Sequence, residues 1–342
     1  MLKFSRKMTY RRFLLNFIKL KSNAPILYTR LLFLLLFALP ELYAQPFNSW
    51  EHEKIEVHNR ESINTILDAE SIFEERWDML PQPQFWMHIM RLSPDSCLIN
   101  VASTRQILVK MSLRDWHKQT ETEKSAFRDS LRSMHGLVAG ERINVTTGKN
   151  DFYRFKDVYP TLSKGVEVFE KNGVDPWYAQ AILLIESPGQ LAKSISGAYG
   201  AFQLMPSVAR AQGLIVNDKV DERKNFERSA YAASRLIKRV CIPEAKKILE
   251  AHQLKVDESD LWFRLFVLHV YHAGAGNVAA VVNKIGPIQG DKDLITKMWQ
   301  TSAGGFGNNS QNYTQLALAA QLILHNMIYE HCDQIFDCAS FN

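Results

Sequence analysis

The chain of 342 residues has little of several things that would point to particular chemistries. Only four cysteines occur, Cys97, Cys241, Cys332 and Cys338, and their spacing fits no zinc site. They leave three disulfide pairings open, of which the short 332–338 interval is suited to clipping a tail. His52, His58, His88 and His117 are scattered without partner spacing, so they read as surface or core residues rather than ligands. No basic stripe with interleaved aromatics appears after the first few dozen residues, which argues against nucleic acid as a partner. No internal repeat, heptad run or low-complexity stretch is present. One long apolar run exists, at 31–39, and it is short against the ~20 residues a membrane span needs.

That run follows a basic segment and precedes small Ala44, the layout of a secretory leader, with cleavage expected between Ala44 and Gln45 or the segment kept as an uncleaved anchor. Residues 1–44 also carry the positive charge. Without them, 33 of the 41 basic and 35 of the 36 acidic residues are left, a balance of −2 in place of +5. The basic isoelectric point is therefore a property of the leader. The organisation expected is a leader at 1–44, an accessory region at 45–150, a helical domain at 151–330 and a tail at 331–342.

Residues 45 to about 130 are expected to be mainly helical, with helices over 63–77 and 120–134 and a break at Pro81-Gln82-Pro83. The alternating run Arg142-Ile143-Asn144-Val145-Thr146 is consistent with a short strand. From 156 onward the pattern is helical. Expected helices cover 161–171, 177–185, 206–211, 226–240, 261–272, 277–285 and 312–329. In the 226–240 helix, Tyr231, Leu236 and Val240 fall on one helical spacing.

Glu186 stands out within that pattern. Asn172-Gly173 closes one helix, and Asp175-Pro176 opens the next as N-cap and first-turn proline. From Trp177 to Ile185 that helix is apolar apart from Gln180. Pro188 then forces a stop, leaving Glu186 at the end of a buried element. Two readings are open: a helix-end carboxylate paired with a Lys or Arg, or an acid whose pKa is raised by burial for proton transfer. Downstream, Gly197-Ala198-Tyr199-Gly200-Ala201-Phe202-Gln203-Leu204-Met205-Pro206 forms a glycine-bracketed loop leading into a helix. Tyr271-His272-Ala273-Gly274 then ends a second apolar helix.

Glu186-Ser187, the 197–206 loop and Tyr271-His272-Ala273-Gly274, in that order and spacing, resemble the soluble-type lytic transglycosylases, relatives of goose-type lysozymes. Tyr313 in Asn312-Tyr313-Thr314 looks like a fourth match, and the stretch from Thr147 to Gly173 resembles the lead-in of membrane-associated members. The resemblance covers about 155–330. It implies a mainly α fold: a lysozyme-like helical catalytic domain, here with a mostly helical N-terminal accessory region. It also implies cleavage of the N-acetylmuramic acid–N-acetylglucosamine bond of peptidoglycan without water, giving 1,6-anhydro products, and no metal or cofactor. Glu186 would be the acid and then the base, with Ser187, Ser194, Gln203, Met205, Tyr271 and Tyr313 lining the groove. The partners implied are peptidoglycan glycan strands, with an association to membrane or cell-envelope machinery, and the location is the periplasm or cell envelope. Alternatives are a hydrolase of the same bond, for which Asp221 or Glu222 would have to supply a second carboxylate, and a glycan-binding scaffold. The sequence departs from the family at Pro188, at Tyr199, Ala201 and Phe202, at His272 in place of Asn, and at Asn309 in place of Glu. His272 is expected to titrate near neutrality.

Overall fold

β-branched Ile63, Thr65 and Ile66 disfavour a helix, and the computed structural model accordingly places them in a strand. The structure describes residues 49–58, 63–186 and 193–329. The leader, Ser187, Pro188, Cys332 and Cys338 lie outside the described residues. The described residues fall in one compact unit, Ser49–Ala339.

After a 3₁₀ turn at Ser49–Glu53, β1 (Lys54–His58) and β2 (Ile63–Leu67) pair antiparallel, Lys54 opposite Leu67 and His58 opposite Ile63. The expected 63–77 helix is thus corrected to a strand followed by the short α1 (Glu70–Glu74). The proline-rich break proves to be the start of α2 (Pro81–Arg91), since prolines are well accommodated in a first turn. Next come β3 (Ser96–Val101) and β4 (Ile107–Ser112), then α3 (Leu113–Lys118), α4 (Glu121–Met134) and β5 (Ile143–Thr147). The three strands form an antiparallel sheet ordered β4-β3-β5. Thr120 and Glu123 close a reciprocal capping box on α4. Cys97, Ile99, Trp116, Leu131 and Ile143 make a small core between this sheet and α3 and α4. The N-terminal region therefore mixes helices with two small sheets.

The rest is helical: α5 (Phe155–Lys171), α6 (Trp177–Glu186), α7 (Pro206–Ala211), α8 (Phe226–Leu236), α9 (Ile242–Glu250), α10 (Leu261–Ala273), α11 (Ala275–Ile285), α12 (Lys292–Gln300) and α13 (Asn308–Tyr329). Between α8 and α9 lies a π turn, Ile237–Cys241. It falls directly ahead of Pro243, which has no N–H for an α-helical bond to the carbonyl four residues back. The buried stripe runs through Ala230, Ala233, Ile237, Cys241 and Ala245, the wider turn setting Cys241 below Ile237, and Val240 is exposed, against the spacing expected from Tyr231 and Leu236. Helix α12 was not expected. Asp291 caps it through the Asp293 and Leu294 amides, and Leu294, Ile295, Met298 and Trp299 bury its inner face. Among the described residues no helix is long and apolar enough to cross a membrane.

α6 is the central element, packed on α5 and α13. Asp175 accepts the Trp177 amide at 2.9 Å, and Gly173, at φ +62°, closes α5 in the left-handed conformation expected of it. Residues 177–185 are all buried, and each Leu or Ile there is worth roughly 1.5–3 kcal/mol of transfer free energy. Gln180, the polar exception, has a definite job: its amide oxygen accepts from Leu67 N at 2.9 Å, and its nitrogen donates to Leu67 O at 2.9 Å and to Gln321 Oε1 at 2.7 Å. Ser163 of α5 grips Thr65 in the same two-sided way. Strand β2 is thereby bonded to the helices on its unpaired side. At the base of α6, buried Arg264 donates to Asp175 Oδ2 at 2.7 Å and to both Glu53 carboxylate oxygens at 2.9 Å.

Candidate active site

α6 delivers Glu186 to the edge of the core, half-buried. Its carboxylate Oε1 accepts a 2.8 Å hydrogen bond from the Tyr313 hydroxyl, 127 residues away on α13. Among the described residues no Lys or Arg pairs with it, and Tyr313 is its hydrogen-bond partner. Burial pushes its pKa up to about 7, with the Tyr313 bond pulling the other way. A carboxyl so poised is divided between acid and base near neutrality, which suits it to give a proton and take one back.

Three phenols surround this carboxylate. Tyr313, Tyr271 and Tyr153 each have their pKa driven upward, first by burial and next by the negative charge of Glu186, so all three stay protonated donors. Tyr153 is only 8% exposed and has ring contacts with Phe152 and Phe155. Sequence reasoning missed it. Its one local signal was the aromatic cluster Phe152-Tyr153-Arg154-Phe155, ahead of the helical region.

Tyr271 does not bond Glu186. Its hydroxyl donates to the carbonyl of Phe202 at 2.6 Å, fastening α10 to the loop that carries Gln203. Phe202 itself is fully buried and stacks on Phe169 of α5, with ring centroids 5.6 Å apart. The loop is bridged antiparallel at Lys193–Tyr199 and Tyr199–Leu204. Buried Arg223 supports it from below, donating to the carbonyls of Gly197 and Leu204 at 2.9 Å each. Asp221 holds the other side of that guanidinium in a two-pronged pair at 2.9 and 2.7 Å. Gly200, at φ +87°, lies so close beneath that a Cβ would come within 2.1 Å of the Arg223 carbonyl oxygen.

Gln203 sits at φ +45°, in the left-handed region that a non-glycine residue rarely occupies, and its side-chain nitrogen donates to Gly200 O at 3.1 Å. Met205 is 38% exposed directly ahead of α7. The Ser194 hydroxyl accepts the Ala198 amide at 2.9 Å and faces Ser196 Oγ at 2.9 Å, so it closes its own turn. The structure therefore joins Glu186 directly to Tyr313, and gathers Ser194, Gln203 and Met205 on the loop that Tyr271 secures. Ser187 lies outside the described residues.

The His272 ring stacks on Tyr313, with centroids 4.2 Å apart and 21° between planes. The residue as a whole is exposed. Desolvation lowers its pKa to about 4, so the ring is neutral at pH 7. That corrects the expectation that His272 titrates near neutrality. His269, fully buried one turn earlier, is pushed down to about 3 by burial and meets Thr314 Oγ1 at 2.9 Å. The carboxylates considered as second acids are engaged elsewhere. Asp221 is held by Arg223, while Glu222 pairs with Arg228 and accepts the Ile215 amide. Both pKa values are lowered, chiefly by those arginines. Among the described residues no group of three or more His, Cys, Asp or Glu side chains could hold a metal ion.

The domain is mainly helical and ends a buried helix in one carboxyl of raised pKa, beside tyrosines and a braced loop. Residues 167–289 match the model of a known family, the transglycosylase SLT domain. The matched segment includes Glu186, Ser194, Gln203, Met205 and Tyr271. Tyr153 and Tyr313 fall outside it. No curated protein matches the chain.

Proposed function

We propose that the chain is an exported peptidoglycan lytic transglycosylase with Glu186 as its single acid and base. The observation that carries this reading is the Glu186 carboxyl, raised to about 7 by burial and bonded to Tyr313, within a chain that matches the transglycosylase SLT family. Protonated Glu186 would give its proton to the oxygen linking C1 of N-acetylmuramic acid to N-acetylglucosamine. The C1–O bond breaks, the released N-acetylglucosamine hydroxyl keeps the proton, and the muramoyl N-acetyl group stabilises the cationic centre. Glu186, now a carboxylate, takes the proton of the muramoyl 6-hydroxyl as that oxygen bonds C1, which closes the 1,6-anhydro ring and restores the acid. One carboxyl suffices because the second nucleophile belongs to the substrate, whereas hydrolysis ordinarily calls on a pair of carboxylates. The ion pairs that occupy Asp221 and Glu222 favour the transglycosylase over the hydrolase. Gln203, Met205, Ser194, Ser187 and Tyr271 would line the glycan groove, and the basic-then-apolar leader supports export to the cell envelope.

Digestion of purified peptidoglycan by residues 45–342, with mass spectrometry of the products, tests this. Muropeptides lighter by one water than hydrolysed ends, formed by the wild type and not by Glu186→Gln, are the expected result. Reducing ends would replace the reading with a hydrolase, and glycan bound without products would replace it with a scaffold.

A further inference from the structure

We infer that Arg105, in the loop between β3 and β4, is a positioning residue for Glu186 that acts through Asn312 and Tyr313. The inference rests on the reading of Glu186 as the catalytic acid. Arg105 is 6% exposed and sits at φ +63°, an uncommon backbone state for a side chain of its size. Its guanidinium Nη2 donates to Asn312 Oδ1 at 2.6 Å and to Asn308 Oδ1 at 3.4 Å. It lies 5.5 and 5.6 Å from the ring centroids of Phe85 and Trp86. Trp86 Nε1 in turn donates to Gln315 Oε1 at 3.0 Å.

Asn308, Asn312 and Gln315 recur at helical spacing and form one stripe over the first two turns of α13. That stripe is held from the N-terminal region. Tyr313, the next residue round the helix, gives its hydroxyl to Glu186. Among the described residues no carboxylate pairs with Arg105. A desolvated cation without a counterion costs stability, and its bonds go to the helix that sets the Tyr313–Glu186 distance. The sub-ångström placement that proton transfer needs thus depends on a side chain far outside the matched 167–289 segment.

The test reads the acid directly. The titratable groups that interact with Glu186 are Tyr153, Tyr271 and Tyr313, and His272 stacks on Tyr313. The Glu186 carboxyl would be titrated by carbon NMR, its signal assigned by its loss in Glu186→Gln. Arg105→Gln is expected to raise the Glu186 pKa in the direction that Tyr313→Phe raises it. In the Tyr313→Phe background it should add no further shift, and with Tyr313 in place it should lower kcat by up to about a hundredfold. An unchanged titration in a folded Arg105→Gln protein overturns the inference. A shift of equal size with and without Tyr313 overturns it as well, because the charge would then act through space. If Arg105→Gln does not fold, Asn312→Ala removes the acceptor and carries the same expectations. The titration needs no substrate, so a failure of this coupling is read separately from a failure of the transglycosylase chemistry.

Discussion

Replacing Glu186 with Gln should make the protein more stable, by an amount that grows with pH. The neutral amide keeps the shape of the carboxyl and can still accept the Tyr313 bond, so the change isolates the cost of the charge. In the folded chain Glu186 titrates at about 7, against 4.5 for an ordinary glutamate. Below pH 4.5 the group is protonated in both folded and unfolded states, and its ionisation costs the fold nothing. Between 4.5 and 7 the native state holds the proton more tightly, so wild-type stability falls as pH rises. Above 7 the full penalty is in place. The resulting advantage of Glu186→Gln is about 0.2 kcal/mol at pH 4, about 2 at pH 6 and about 3 at pH 8. Urea denaturation of both proteins at several pH values would measure it, with m-values compared to exclude a change in the unfolded state. A difference that stays constant from pH 4 to 8 would refute the reasoning, since Glu186 would then feel no desolvation. The expected gain coincides with loss of activity, the usual exchange at a site whose acid is held in an unfavourable medium.

Two further outcomes follow from the same geometry. Tyr313→Phe removes the bond that favours the carboxylate, so the Glu186 pKa should rise above 7 by roughly 1–2 units, the equivalent of a hydrogen bond to a charged group. The alkaline limb of the rate profile should move up with it, and a limb that stays or moves down would break the assignment. Gly200→Ala places a Cβ against the Arg223 carbonyl at a φ that side chains avoid. Thermal melting should show a loss of at least 1–3 kcal/mol, with peptidoglycan cleavage lost in the protein that still folds. A melting curve like that of the wild type would mean that the loop is not seated on Arg223.

The helix that presents Glu186 was legible because its signals are local. The glycine stop, the Asp-Pro start and the apolar run all lie within fifteen or so residues of one another in the sequence. The resemblance of the Gly197–Pro206 loop was legible for the same reason. The strand at Ile63–Leu67 was not. Ile63, Ile66 and Leu67 fall at the spacing of a helical face, and the β-branched run was the only counter-signal. What decides that segment is its pairing with β1 and its bonds to Ser163 and Gln180, about a hundred residues downstream. The π turn at Ile237–Cys241, directly ahead of Pro243, departs from the α-helical period, so a fixed period does not anticipate it. Arg105 and Tyr153 escaped detection for a related reason, since each becomes relevant to the site only through contacts made across the folded chain.

The bonds that tie β2 to α5 and α6 have a consequence for how such a domain can be inherited or moved. The helical region at 155–329, which contains the segment that matches the family, is not self-sufficient in its hydrogen bonding. Cut away from what precedes it, Gln180 would lose both backbone partners, Arg264 its Glu53 carboxylate and Asn312 its guanidinium. Each would leave a polar group stranded inside an apolar helix bundle, and such groups are expensive to leave without partners. These helices are therefore poor material for shuffling by simple excision. A recombined descendant would have to carry the small sheets along, or rewrite the interior polar residues of α6, α10 and α13 at the same time.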